Sequence, residues 1–336
     1  MKTMAMAVAA LAAFLGACGG GASGDGVTGG ACGAPTVLFS GFDSYDSLAV
    51  QGGFVYVELP GEGVARCATT GCTAPTSVVD NDGFVSSAFG GTSIAYATQI
   101  ASSDDDGVSG AIRSANDDGT NDQSVQSNLT YPAYVAKSGA SMFWAQDSFA
   151  IDETPATINC IGCNGNAAST PWFAGLTGGT YGMIADDENV YVLADDPTQT
   201  SVMLFSCSVN APCYGEPRVV IGDLDPTITA QQIATDGTNV YVARASSGDI
   251  VRVDPSGNVT RVAAIDAVSA IVVDASTSTL YYGTQAGLIA RVALDGSAQS
   301  ATIACSASAI ASLDVDATNV YALTGDSQSD VAVAKK

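Results

Sequence analysis

Short apolar runs alternate with polar turns along this chain, and the runs are brief and rich in Val, Ile and Tyr. Runs of that length and composition predict strands rather than helices. One stretch shows the unit clearly. QQIATD (231–236) predicts an inner strand and Asp236-Gly237-Thr238-Asn239 a tight turn, since Asp caps its own turn and Asn tolerates positive φ. VYVARA (240–245), IVRVD (250–254) and VTRVAAI (259–265) then supply the second, third and outer strands. Inner strands such as AIVVDA (270–275) are apolar on both sides, as sheets covered on two faces require.

One aromatic marks each unit. Tyr56, Tyr96, Phe143, Tyr191, Tyr241, Tyr281 and Tyr321 follow one another at 40, 47, 48, 50, 40 and 40 residues. Around three of them the text nearly repeats, as DDENVYVLA (186–194), DGTNVYVAR (236–244) and DATNVYALT (316–324). Such even recurrence assigns the rings to packing between units rather than to a ligand. The last unit is one strand short, ending with LDVDA, NVYALTG and DVAVAKK. The missing strand lies at the other end, where CGAPTVLFSG (32–41) matches the first unit's outer strand CTAPTSVVDN (72–81). Six whole units and one composite predict an all-β, seven-bladed β-propeller with four-stranded antiparallel blades. The N-terminal strand closes the last blade and removes its open edge.

Before the repeats, Lys2 and the apolar stretch Met4–Phe14 have the form of a signal peptide, too short to span a bilayer. Leu15-Gly16-Ala17-Cys18 resembles the lipobox of bacterial lipoproteins, in which the Cys becomes the lipid-bearing first residue. The resemblance implies a signal peptide over 1–17 and a lipidated Cys18; the Gly-rich composition predicts a flexible tether over 18–34, ahead of the propeller domain that the repeats predict over 35–336. Gly19 after the Cys implies the outer membrane, so the chain is expected in the cell envelope.

The formal charge of −23 disfavours nucleic acid and anionic lipid surfaces, which need a Lys/Arg excess. The expected partner is a protein or another envelope ligand, bound by a monomeric propeller. Eight cysteines follow Cys18. Cys67/Cys72, Cys160/Cys163 and Cys207/Cys213 each follow a third apolar run and predict staples across an outer hairpin, about 2 kcal/mol each. Elimination leaves Cys32 with Cys305. The repeat register, however, sets these two at opposite ends of neighbouring outer strands, beyond disulfide reach.

AIRSANDDGTNDQSVQSNLTYPAYVAKSGASMFWAQDS (111–148) resembles the repeat of YWTD-type propellers, although Phe143-Trp144-Ala145-Gln146 stands where the Tyr-Trp-Thr-Asp tetrad would be. GDIVRVDPSGNVTRVA (248–263) is similar to stretches of lactonase-like propellers. The latter resemblance implies a divalent metal held by Glu, Asn and Asp at the channel mouth, and hence an alternative reading as a metal-dependent hydrolase. The chain has no His, which removes His-dependent triads and His metal ligands. Of its five Glu (Glu58, Glu62, Glu153, Glu188 and Glu216) none falls on an expected inner strand. Most acidic residues fall in loops joining second to third strands or blade to blade, which share one rim. Asp104, Asp105, Asp106, Asp152, Glu153, Asp195 and Asp196 form its densest part. Opposed carboxylates there would attract Ca²⁺ or a basic partner; a solvated rim is the plainer reading. NDDGTND (116–122) lacks the twelfth-position Glu of a calcium loop and is better explained as a hairpin turn. A binding or scaffolding module is the expected function.

Overall fold

The computed structural model describes residues 32–42, 47–101, 108–146, 156–166, 168–176, 178–196, 201–213, 217–325 and 329–336. Seven four-stranded antiparallel sheets follow one another around an axis. Blades 1 to 6 span 48–80, 84–130, 132–176, 180–224, 233–264 and 268–305. Blade 7 takes three strands from 310–335, and Thr36–Phe42 pairs along Ser329–Lys335 as its outer strand. The protein is a seven-bladed β-propeller with the composite closure its repeats predict. The upper rim carries the loops between blades and those joining second to third strands. The lower rim carries the other turns.

Seven hydrophobic clusters account for the described core, and each joins one pair of neighbouring blades, including blades 7 and 1. A ring therefore has no single centre of burial, and each interface buries its own apolar surface at about 1.5–3 kcal/mol per large side chain. All seven repeat aromatics lie in these interfaces, none more than 4% exposed. Tyr56 meets Phe89 of blade 2 at a centroid distance of 5.0 Å. Trp172 of blade 3 donates its Nε1–H to the carbonyl of Ser208 in blade 4 at 2.8 Å.

One strand begins later than its pattern predicts. Residues 230–232 form a 3₁₀ turn closed by the reciprocal capping of Thr229 and Gln232, and the inner strand is Ile233–Thr235. Gly182 admits this turn, because a Cβ there would overlap Ala230.

The sulfurs of Cys67–Cys72, Cys160–Cys163 and Cys207–Cys213 are joined on the lower rim, with Cα separations of 5.7, 6.0 and 5.9 Å. Cys32 and Cys305 are joined as well, at a Cα separation of 5.7 Å, which corrects the expectation that they lie out of reach. The register reasoning treats Cys32 as the start of the strand. Instead the strand begins at Thr36, beside Val333 near the lower rim, while Cys305 ends its own strand beside Leu288 at the upper rim. Four extended residues cover about 13 Å, and the leader 32–35 uses that length to reach across. Its Gly33 carbonyl accepts the Cys305 N–H at 3.1 Å.

Candidate functional site: the central channel and its rims

All seven blades contribute to a central channel of about 780 Å³, within the range of small-molecule sites. Most of its wall is Ala, Val, Ile and Ser, with Glu58, Lys137 and Asp314 as its charged residues. Each of these three is engaged by the fold itself.

Asp314 occupies the inner-strand position opposite the repeat aromatic. Six blades place Ala49, Ser87, Ala136, Ile184, Ala234 and Val272 there, and blade 7 places Asp314 opposite Tyr321. Its carboxylate accepts the N–H of Val50 in blade 1 at 2.6 Å and that of Val315 at 2.7 Å. Burial pushes this carboxyl up to about 6, although both N–H donors and the Lys336 charge pull it down. Two residues earlier, Ser312 Oγ accepts the Leu48 N–H at 3.2 Å and donates to Gln231 of blade 5 at 2.7 Å. Blade 7 thus satisfies two free N–H groups on the channel edge of blade 1.

Glu58 does the same one blade on. Its Oε1 accepts both the N–H and the Oγ–H of Ser87 in blade 2, and its Oε2 accepts Ser47 Oγ–H, each at 2.5 Å. It reaches the channel from a second strand, so looking for ligands on inner strands alone passes over it. Lys137 donates to the carbonyls of Gly90 and Gly139, both at 2.9 Å, and burial lowers its ammonium below the ordinary lysine value.

On the lower rim, the repeated Asp and Tyr form one device. Asp236 accepts the N–H groups of Thr238 and Asn239 through Oδ1 and the Tyr241 hydroxyl through Oδ2 at 2.8 Å. Asp316 with Tyr321, and Asp186 with Tyr191, repeat it. Burial works to raise the Asp316 carboxyl, but its donors outweigh that and hold it at about 2, while burial and Asp316 push Tyr321 up to about 12. Blade 6 departs from this. Asp274 accepts Ser276 and pairs with Lys336 at 2.5 Å, whose ammonium lies 5.4 Å from the Tyr281 ring.

The acidic upper rim is only partly described: Asp104, Asp105, Asp106, Asp152 and Glu153 lie outside the described residues, as does Cys18. Asp195 is bound inward, accepting Gly179 N–H and the Tyr181 hydroxyl, both at 2.8 Å. Gly178 stands at φ 98°, and a Cβ there would strike this carboxylate. Asp196 is buried and accepts Ser201 Oγ–H at 3.2 Å. Among the described residues no three Cys, Asp or Glu side chains converge as metal ligands. Residues 116–122 form a hairpin turn in which Asp118 accepts the N–H and hydroxyl of Thr120.

No protein-family model matches the chain, and neither does any curated protein sequence. Solved structures do. The chain is similar to BamB from Moraxella catarrhalis at 12% identity and a TM-score of 0.54, over 90% of this chain and all of that one. It is similar to the WD40 repeats of RRP9 at 11% identity and a TM-score of 0.61, covering 90% and 99%. Streptogramin B lyase gives 11% identity and a TM-score of 0.55, covering 89% and 96%. Likeness at these identities shows the propeller fold alone.

Proposed function

We propose that the protein is a lipid-anchored, extracytoplasmic propeller of the outer membrane whose upper rim binds a protein or other envelope partner. One observation carries this reading: the channel's charged groups are spent on the ring's own N–H and carbonyl groups, whereas the upper rim is elaborated. Among the described residues blade 2 reaches furthest, since Ser93–Ala101 and Val108–Asn116 pair through Ala101↔Val108, one to two residues beyond the second strands of other blades. Ile100 stands 65% exposed on that hairpin. The net charge of −23 favours a basic partner surface.

Two experiments test the proposal. Cys18→Ala should release the protein into the soluble fraction, because stable anchoring needs acyl chains on that residue; a variant that stays membrane-bound and processed as before removes the anchor. A photo-crosslinking residue at position 100 should capture a partner in intact cells that one at Gly237, on the lower rim, does not. Equal capture at both positions, or none at position 100, removes the upper-rim surface.

A further inference from the structure

The closing strand differs from the other outer strands in being the first described strand of the chain, with no blade before it in sequence. Thr36–Phe42 pairs with one neighbour only, and its ladder along Ser329–Lys335 is interrupted twice, between Val37 and Phe39 and between Ser40 and Phe42. Phe39 is buried in the interface of blades 7 and 1, Leu38 is partly buried, and Val37 is 52% exposed. A terminal strand so held frays readily, and its loss would uncover the edge of Ser329–Lys335. A pull along the chain from the N-terminal side would break its ladder bond by bond, starting at Thr36↔Val333.

We infer that the Cys32–Cys305 disulfide is a strain relief for this closing strand, diverting N-terminal tension into blade 6 before it reaches Thr36. The placement supports this. Cys32 lies ahead of the strand, and its partner Cys305 is an interior point of the chain. On one side of Cys305, Ala301–Cys305 is paired to Leu288–Ala293. On the other, a short loop leads to the inner strand Ile310–Val315, inside the ring. Tension arriving at Cys305 is therefore shared between two anchored segments. The Cys305 N–H bond to the Gly33 carbonyl holds the leader against blade 6, so residues 33–35 lie beyond the bridge and carry none of a load applied ahead of Cys32. The three lower-rim bridges span only 3 to 6 residues and fasten single blades. The source of tension rests on the lipid-anchor proposal; the strand's dependence on the bridge does not.

Amide hydrogen exchange on the full-length chain tests the inference. With both Cys32→Ser and Cys305→Ser in place, exchange over 36–42 should quicken at least tenfold, while the second strands of blades 3 to 5 keep their rates. Unchanged protection of 36–42 overturns it. Should the double variant not fold, a protease site placed at the exposed Gly33-Ala34 and cut after folding severs the same connection in a native ring, with the same two outcomes. In single-molecule pulling between residue 18 and the C-terminus, the double variant should show an early low-force step of roughly 30–40 Å, the extended length of the leader and strand. The bridged protein should lack that step, and identical traces overturn the inference. None of these readouts depends on lipidation, so failure of the Cys18→Ala fractionation leaves them intact.

Discussion

Asp314 offers the sharpest test of how the ring is held together. Its carboxyl titrates at about 6 in the fold against 3.8 for the free side chain. Ionisation therefore opposes folding, and the opposition grows as pH rises from about 4 to about 6. At roughly 1.4 kcal/mol per pH unit the full penalty at neutral pH is about 3 kcal/mol. Residual access from the channel screens part of it, leaving about 2 kcal/mol. Asp314→Asn removes the titration and keeps an amide oxygen for the Val50 N–H, at the loss of the Val315 bond. The variant should be about 1–2 kcal/mol more stable than wild type at pH 7.5, a rise of a few degrees in melting temperature. That advantage should shrink through pH 6 to 5 and vanish by pH 4. Asp274 and Asp316, with lowered carboxyls, destabilise both proteins in acid, so the difference between the two melting curves is the quantity to follow. A difference independent of pH between 4 and 7.5, or a variant less stable throughout, refutes the reasoning.

The lower-rim turns predict that Asp236→Ala costs about 1–2 kcal/mol, since two N–H groups and the Tyr241 hydroxyl lose their acceptor, whereas Tyr241→Phe should cost no more than about 1 kcal/mol; chemical denaturation ranks them, and the reverse order would show the hydroxyl rather than the cap to be dominant. Lys336→Met leaves Asp274 without its ammonium and should cost about 1–2 kcal/mol at pH 7. Because the native Asp274 carboxyl is held below its ordinary range, chiefly by Lys336 against the effect of burial, that cost should fade as pH drops below about 4. A cost unchanged at pH 3 would mean that the ion pair contributes nothing.

The architecture was legible because a propeller repeats its local instructions. The spaced aromatics, the Asp-to-Asn turns and the match of 32–41 with 72–81 specify strand order without any long-range contact having to be guessed. The 3₁₀ turn at 230–232 was missed because a capping box and a glycine in the neighbouring blade decide it, not periodicity. The Cys32–Cys305 connection was misjudged because four irregular residues can cross the height of a blade, a freedom that no strand register contains. The channel groups were half visible. Setting LDVDA beside IVVDA shows Asp314 in place of Val272, an acid where the other blades place Ala, Ser, Ile or Val. Nothing in the text around Glu58 signals that a second-strand side chain turns to cap Ser87. Asp195 and Asp196, read with the acidic loops, also accept local hydrogen bonds from Gly179, Tyr181 and Ser201, which the sequence does not signal.

The leader's crossing from lower to upper rim also sets where the preceding chain enters the ring. Whatever precedes Cys32 joins the ring at the loop-bearing face, while Lys336 ends the chain at the other. With Cys18 held in a bilayer, 13 residues separate the anchor from that point of attachment, a span of at most about 50 Å when fully extended. The loop-bearing face then borders a gap of limited height above the lipid. On the lipid-anchor proposal, a partner for that face would have to fit within the reach of this tether or itself lie at the membrane.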